Sequence, residues 1–429
     1  MDNKAVVADN HERPVAKLRA GYLARTFPAL THGPFRWFWC GQIVSLIGTW
    51  TQNVGQAWLV LQLTNSAFLL GLVGALQFLP MLLLSLHAGV WIDRLPKRKI
   101  LLISQSTLMV LAFVVAGLVG TGLIRYWMLA VLATILGIAN TVDVPARQSF
   151  VIELVGREHL TNAIALNSAI FNGARLVGPA VAGTIMALWG PTWCFLINGA
   201  SFIGVVTILA FLPSIPKGGQ AIPTVRRAVW PEIREGLAYI RHTPVISVTL
   251  GTVAVLSAIT MNFNVLVPVL AKMELHAEVL GYGLLMSSMG LGALLGALTV
   301  AASSRHGPRK IFVFGGAAGL ALFAIVLGLQ TTYAGAALAL GLMGWSMLIF
   351  SASANSLVQM TVDDRLRGRV MSVYSLVFGG MTPLGSFYSG TLAHFWGARL
   401  TFAFSGLLAL LFLAGLALSK RQLLAKLRC

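Results

Sequence analysis

The chain has 429 residues, of which 57% are hydrophobic and only 10% are charged, and its mean hydropathy is +0.81. Soluble domains carry about 25% charged residues, so this composition excludes a large soluble protein and predicts an integral membrane protein. The formal net charge of +18 raises the alternative of a nucleic-acid-binding protein.

About twelve apolar stretches follow one another along the chain, each near the ~20 residues that a helix needs to cross a bilayer core roughly 30 Å thick. We therefore predict an all-α membrane protein with twelve transmembrane helices, numbered here as spans 1 to 12. The 44 glycines are spread through these stretches, as expected where small residues let membrane helices pack closely. The predicted spans are residues 36–63, 69–91, 99–121, 126–142, 162–188, 191–212, 245–271, 278–302, 310–330, 333–357, 369–394 and 399–419.

The basic residues lie almost entirely at alternate ends of these spans. The exceptions among the 31 Lys and Arg residues are Arg125, Lys272 and Arg399 at the opposite ends and Arg175 inside span 5. The positive-inside rule then places both termini in the cytoplasm, which requires an even number of spans. The net charge is thus interpreted as a topology signal, and the predicted surroundings are a lipid bilayer and no nucleic acid.

One long polar connection divides the spans six and six. It contains a stretch, 230–241, with the pattern of an amphipathic surface helix whose apolar face carries Trp230, Ile233, Leu237 and Ile240. The predicted division is a cytoplasmic N-terminal segment 1–35, an N-terminal bundle 36–212, a cytoplasmic linker 213–244, a C-terminal bundle 245–419 and a cytoplasmic tail 420–429.

The two halves resemble each other in sequence. GTIMALWG at 183–190 corresponds to GTLAHFWG at 390–397, and RKI occurs at 98–100 and again at 309–311. Because six spans is an even number, each half enters and leaves the membrane on the same side. The repeats are therefore predicted to be parallel, as two six-helix bundles related by a pseudo-two-fold axis along the membrane normal.

The loop after span 2 reads GVWIDRLPKRK at 89–99, and its five charged residues directly follow the apolar stretch of span 2. It resembles the signature loop of the major facilitator superfamily, although Pro96-Lys97 replaces the usual glycine before the basic pair. The equivalent loop after span 8, residues 300–310, keeps its basic residues but has Ser304 where the acid would be. The matching positions after span 2 are Gly89, Asp93, Arg94, Arg98 and Lys99.

The resemblance implies that this loop is a cytoplasmic gate. Asp93 would face the positive N-terminus of span 11 in the other bundle, and the basic residues would pair with acids on neighbouring loops. Such a cluster would hold the inner side closed in the outward-open state and break as the bundles rock. The alternative is that the charges only fix topology. Candidate acids are Asp143, Glu153, Asp363 and Asp364.

Span 5 contains ARLVGPAVAG at 174–183, which resembles the Gly-Pro motif of exporter branches of that superfamily. Gly178, Pro179 and Gly183 match, and they permit a bend and close helix contact. Residues 157–183 and 365–390 resemble the branch called transmembrane secretion effectors, which includes enterobactin and macrolide exporters. The resemblance covers about 35–420 and implies export across a bacterial cytoplasmic (inner) membrane.

Polar residues inside the spans are candidates for the substrate pathway. Span 1 carries Gln52, Asn53 and Gln56 on one helical face, and in the superfamily span 1 lines the central cavity. The alternative is hydrogen bonding between helices without a substrate role. In span 5, Asn172 lies one turn before Arg175. A buried arginine is costly, so Arg175 is predicted either to bind an anionic substrate or to bond carbonyls freed near Gly178-Pro179.

All thirteen acids are predicted to lie outside the middle of the spans, whereas many drug/proton antiporters carry a carboxylate in the membrane. Asp93 and Asp143 at the cytoplasmic edge, or His87 and His394, are the remaining titratable candidates. The proton nevertheless remains the predicted coupling ion.

The predicted function is secondary active export of a small hydrophobic or amphipathic organic compound, of drug or siderophore type, by alternating access in a monomer. The chain has no P-loop, zincin or nucleophile-elbow motif, so we predict no enzyme activity, no cofactor and no metal site. The alternatives are a nutrient importer of the same fold and a non-transporting membrane sensor or scaffold.

Overall fold

The computed structural model describes residues 26–212, 229–303, 310–363 and 366–419, and nearly all of them are helical. Spans 1 to 6 are the helices Gly33–Thr64, Ala67–Arg94, Lys97–Gly120, Tyr126–Val155, Leu160–Trp189 and Thr192–Phe211. Span 7 is divided into Pro244–Ile259, Phe263–Val269 and a π-helical turn, Leu270–Glu274. Spans 8 to 10 are Val279–Ser303, Lys310–Leu329 and Tyr333–Thr361. Spans 11 and 12 occupy Arg367–Gly380 and Thr382–Ser419, and Gly397, with φ 80°, separates the two spans.

Ten helical stretches among the described residues are long and apolar enough to cross a membrane, and one of them, Arg367–Ser419, contains both spans 11 and 12. Span 1 is not in that set, although it is 32 residues long. Its buried side includes Gln42, Gln52 and Gln56. Span 1 therefore has a polar face that packs against other helices, which lowers its hydropathy.

The linker contains the helix Val229–His242. The helix packs on the C-terminal bundle, where Glu235 forms an ion pair with Arg369 and the Tyr239 hydroxyl accepts from the backbone N–H of Asp363 at 3.4 Å. On its apolar face Ile240 is buried and Leu237 is half-exposed, while the side chains of Trp230 and Ile233 lie outside the described residues.

The two ends of the helical bundles are named here by their connections. The terminal face is the end at which span 1 begins, and it also carries the linker helix. The turn face is the opposite end, and it carries the short connections 65–66, 121–125, 190–191, 275–278 and 330–332.

Within each bundle, two helices pack closely at a glycine, and the two glycines occupy corresponding positions of the repeat. Gly137 of span 4 lies against the Gln77 carbonyl of span 2, and Gly344 of span 10 lies against the Met289 carbonyl of span 8. The interval from 137 to 344 equals the interval from 183 to 390 in the repeated sequence motif. The internal repeat is therefore a repeat of helix packing.

Two seams join the bundles near the turn face, one between spans 2 and 11 and the other between spans 5 and 8. A Cβ on Gly71 would stand 2.5 Å from the Ser386 carbonyl oxygen and 2.7 Å from the Gly390 Cα. A Cβ on Gly283 would stand 2.5 Å from the Pro179 carbonyl oxygen and 2.9 Å from the Gly183 Cα. At both seams glycine lets the helix backbones touch directly.

We expect Gly283→Ala to lower the midpoint of thermal unfolding of the purified protein, because the added methyl group collides with backbone atoms and overpacking costs about 1–3 kcal/mol. The matched control is Gly204→Ala in span 6, where a Cβ meets no atom within 4 Å. The control should leave the midpoint unchanged or raise it, since alanine favours helix over glycine by up to about 1 kcal/mol. Equal midpoints for the two variants would contradict this account of the seam.

Candidate functional site

The signature loop is only partly covered by the described side chains. The helix of span 2 continues to Arg94, but the packing around Gly89 and the side chains of Asp93 and Arg94 lie outside what the structure describes. Lys99 is exposed. The structure thus leaves the inter-bundle role of this loop as a prediction.

Arg98 bonds within the N-terminal bundle. Its Nε donates to the Leu209 carbonyl oxygen and its Nη2 to the Ala210 carbonyl oxygen, both at 2.6 Å. These carbonyls belong to the last turn of span 6, where unpaired acceptors and the negative end of the helix dipole favour a cation. Arg98 therefore caps span 6 at the terminal face.

The predicted end of span 4 at residue 142 was wrong, and it affects how Asp143 is placed. Span 4 does not end at 142 but continues to Val155, and it buries the Asp143 side chain completely. The helix continues because the charge of Asp143 is paired with Arg147 one turn further on. The signal in the sequence was this opposite-charge pair at i, i+4 spacing.

Asp143 is the centre of a polar network that joins three spans. One carboxylate oxygen accepts from Ser104 Oγ at 2.8 Å and from Gln105 Nε2 at 2.7 Å, both on span 3. The other oxygen pairs with Arg147 Nη2, and Arg147 Nη1 donates to Gln42 Oε1 of span 1 at 2.8 Å. A buried charge is tolerated when an opposite charge and hydrogen bonds satisfy it, as they do here.

The polar face of span 1 makes bonds within its own bundle. Gln52 Oε1 accepts from Asn198 Nδ2 of span 6 at 2.6 Å, and Gln56 Nε2 donates to Gln77 Oε1 of span 2 at 2.9 Å. Asn53 is half-buried. Gln52 and Gln56 thus make the helix–helix bonds that were the alternative to a substrate role.

The Gly-Pro motif of span 5 packs on two sides. Gly178 lies directly against Trp50 of span 1, and its carbonyl oxygen accepts from Thr51 Oγ1 at 3.3 Å. Pro179 has no N–H to bond the carbonyl four residues earlier, at Arg175. That carbonyl oxygen lies 2.8 Å from the position that a Cβ of Gly290 in span 8 would take. The motif therefore contacts span 1 in its own bundle and span 8 across the seam.

The Arg175 guanidinium lies between the bundles. Its Nη2 is 3.5 Å from Met347 Sδ of span 10, and its Cζ is 5.8 Å from the ring centroid of Trp50 in span 1. Its Nε is shielded from solvent and has no hydrogen-bond partner. In the described part of the chain no carboxylate or backbone carbonyl bonds this guanidinium, and the neighbouring Asn172 donates to the Ser168 carbonyl of its own helix at 2.8 Å.

Side chains of three spans also meet across the bundles at the turn face. The rings of Trp58 in span 1 and Tyr282 in span 8 stack with centroids 5.6 Å apart and planes 15° apart. Lys272 Nζ of span 7 donates to the Leu61 carbonyl oxygen of span 1 at 2.6 Å. Together with the glycine seams, these contacts hold the bundles together at the turn face.

Glu274 joins spans 7 and 12 within the C-terminal bundle. Its carboxylate accepts from the backbone N–H groups of Ala398 and Arg399, the first residues of span 12. An acid at this position satisfies unpaired donors at a helix N-terminus. Glu274 therefore fixes the turn between spans 11 and 12.

Two six-helix bundles that meet along spans 2 and 11 and along spans 5 and 8 define a transporter of the major facilitator fold. Residues 24–427 match the family model of the transmembrane secretion effectors, and the chain belongs to that family. This finding confirms the resemblance seen in the motifs.

Known relatives agree with this assignment, and a solved structure agrees with the fold. The multidrug efflux pump Tap of Mycolicibacterium fortuitum is 28% identical over 355 residues, 80% of this chain and 85% of that protein. The staphyloferrin A transporter of Staphylococcus aureus (strain NCTC 8325 / PS 47) is 25% identical over 377 residues, 87% of this chain and 92% of that protein. A bacterial homologue of the human lysosomal transporter Spinster, inward-facing and unoccupied, superposes with a TM-score of 0.73 at 14% identity, over 91% of this chain and 97% of that one.

These findings establish a multi-pass membrane protein of an efflux transporter family, and they point to a transporter rather than an enzyme. The predicted fold of two six-helix bundles is confirmed.

We expect Asp143→Asn to lower the free energy of unfolding by about 2–4 kcal/mol, because it leaves the Arg147 charge without its carboxylate. Arg147→Gln should cost a similar amount, since the buried carboxylate then loses its cation. The double variant should be more stable than the sum of the two losses predicts, by about 1–3 kcal/mol. Denaturant titration of the purified proteins measures all three, and strict additivity would contradict the network.

The stacked rings of Trp58 and Tyr282 lead us to expect that they close the turn face to solvent. We expect Trp58→Ala to speed maleimide labelling of Met286→Cys, one turn from Tyr282, about fivefold, since an aromatic pair contributes about 1 kcal/mol. Labelling uses a background in which Cys40 and Cys429 are serine. The matched control is Trp189→Ala, which removes an exposed tryptophan that pairs with Trp193 at the same face. Equal labelling in both variants would show that the stack does not close the turn face.

Proposed function

We propose that this chain is a secondary active exporter of small hydrophobic or amphipathic organic compounds that works by alternating access. The observation that carries the proposal is the direct backbone contact of the bundles through Gly71–Gly390 and Gly183–Gly283 near the turn face. Contact at one end of two packed bundles is the geometry of a carrier closed on that side. The efflux activity named for the relative Tap supports export over uptake.

We further propose that the terminal face is cytoplasmic and that the protein resides in the bacterial inner membrane. Arg98 and Arg369 both lie at the terminal face, in agreement with the positive-inside rule. In this orientation the structure corresponds to a state closed to the outside. The rocking units would be 36–212 and 245–419 of a monomer.

The opposite state would open the turn face and close the terminal face. There Gly89, Asp93 and Arg94 would approach span 11, as the signature loop does by resemblance, with Lys99 beside them. Arg98 would keep its place on span 6, because its two carbonyl acceptors belong to its own bundle. The loop would therefore move with the N-terminal bundle as a rigid attachment.

The proton is the proposed coupling ion. Asp143 supports this proposal because it is a fully buried carboxylate whose contacts reach spans 1, 3 and 4. The charged group that faces it is Arg147, and the uncharged partners are Ser104 and Gln105.

We expect cells of an efflux-deficient bacterium that express the protein to accumulate several-fold less erythromycin, or less of an endogenous chelator under iron limitation, than vector-only cells. Mass spectrometry of cells and medium measures the difference, which a protonophore should abolish. Asp93→Asn should lose export at an unchanged protein level, because the terminal face could no longer close. The control is Glu158→Gln, an exposed acid at that face.

The same assay separates the alternatives. A nutrient importer would raise the content of its compound inside the expressing cells. A sensor or scaffold would leave every compound at the level of the vector-only cells. Either result would overturn the proposal of export.

A further inference from the structure

Arg175 is a cation near the middle of span 5. It stands close to the midpoint of the helix Leu160–Trp189, about 21–23 Å along the axis from either end at ~1.5 Å per residue. A charge at that depth is unfavourable unless it is paired or faces a polar cavity. Its guanidinium contacts the thioether of Met347 and the indole ring of Trp50.

Three other basic side chains in the described part of the chain have the kind of partner that the Arg175 guanidinium lacks. Arg147 pairs with Asp143, Arg98 bonds two helix-end carbonyls, and Lys272 bonds the Leu61 carbonyl. The contact with Trp50 is a cation–π interaction, which leaves the in-plane N–H donors of the guanidinium unused. Nε is shielded from solvent and unbonded, and Nη2 meets only a weak sulfur acceptor.

We propose that Arg175 binds the anionic group of a transported compound, a carboxylate, sulfonate or comparable oxyanion attached to an apolar body. The proposal rests on the export function proposed above and specifies its substrate class. The guanidinium would bind two oxygens through parallel N–H donors, since Arg pairs in this way with both planar and tetrahedral oxyanions. Trp50 and Met347 would contact the apolar body, because aromatic and thioether side chains accommodate varied apolar shapes.

The position of the site also connects binding to movement. Arg175 and Trp50 belong to the N-terminal bundle, whereas Met347 belongs to the C-terminal bundle. An anion bound here therefore contacts both rocking units. If the distance between the two bundles changes from one state to the other, the affinity for the anion must change with it. Such a difference in affinity is what lets a ligand shift a conformational equilibrium.

The test compares two probes that share one ring system. 8-Anilinonaphthalene-1-sulfonate is an anion, and N-phenyl-1-naphthylamine is the same molecule without the sulfonate. Fluorescence titration in phosphatidylcholine nanodiscs, with empty nanodiscs subtracted, gives the Kd of each probe. Arg175→Gln should weaken binding of the sulfonate at least tenfold and leave the amine within about twofold. Arg175→Lys should weaken sulfonate binding less than Arg175→Gln does, because it keeps the charge but loses the paired donors.

The matched control is Arg125→Gln, which removes an exposed arginine at the turn face and should change neither Kd. Equal effects of Arg175→Gln on the two probes, or no effect on either, would overturn the proposal and make Arg175 a structural residue.

A competition experiment in the wild type covers the case in which Arg175→Gln does not fold. There naphthalene-2-sulfonate should displace the bound amine probe at about tenfold lower concentration than uncharged 2-naphthol. Equal potency would overturn the anion site.

These titrations do not require transport. Binding through Arg175 with no compound depleted from the expressing cells in the cell assay would therefore refute the export function and leave the anion site standing.

Discussion

The contact on which the arrangement of the two bundles depends is the approach of bare backbone at Gly71–Gly390 and Gly183–Gly283. Seams of this kind gain dispersion energy and weak Cα–H···O contacts. Aromatic rings add contact area beside the glycines: Phe68 of span 2 packs on Phe387 of span 11, and Trp58 stacks on Tyr282. The bundles are therefore joined near the turn face by backbone contact and aromatic packing.

Polar bonds are distributed so that the N-terminal bundle moves as one body. The Asp143–Arg147 pair, Gln52–Asn198 and Gln56–Gln77 all join helices of that bundle. In a membrane such bonds resist breakage, because the freed groups would face hydrocarbon. Across the bundles the corresponding contacts are a lysine on a carbonyl and Arg175 on a thioether. The bundles are thus held internally by strong polar bonds and to each other mainly by packing.

The sequence predicted the spans, the repeat and the family because each depends on local composition and on short motifs. It placed the end of span 4 wrongly, since hydropathy falls where Asp143 and Arg147 begin, although the two charges neutralise each other inside the helix. It identified the polar face of span 1 but not its partners, because the rotation of a helix is decided by its neighbours. Nothing local to Arg175 could indicate Met347, which lies on span 10 of the other bundle.

The internal repeat shows which features the two bundles share and which belong to one bundle. At the interval that relates Gly183 to Gly390, Gly178 corresponds to Gly385, and both glycines pack on a helix of their own bundle. The charges are not repeated: Asp143 and Arg147 correspond to the buried Phe350 and Ala354, and Arg175 corresponds to Thr382. An apolar core holds the C-terminal bundle together at the place where the ion pair lies in the N-terminal one. Packing alone therefore does not require these charges, which is why we assign proton coupling and anion binding to the N-terminal half.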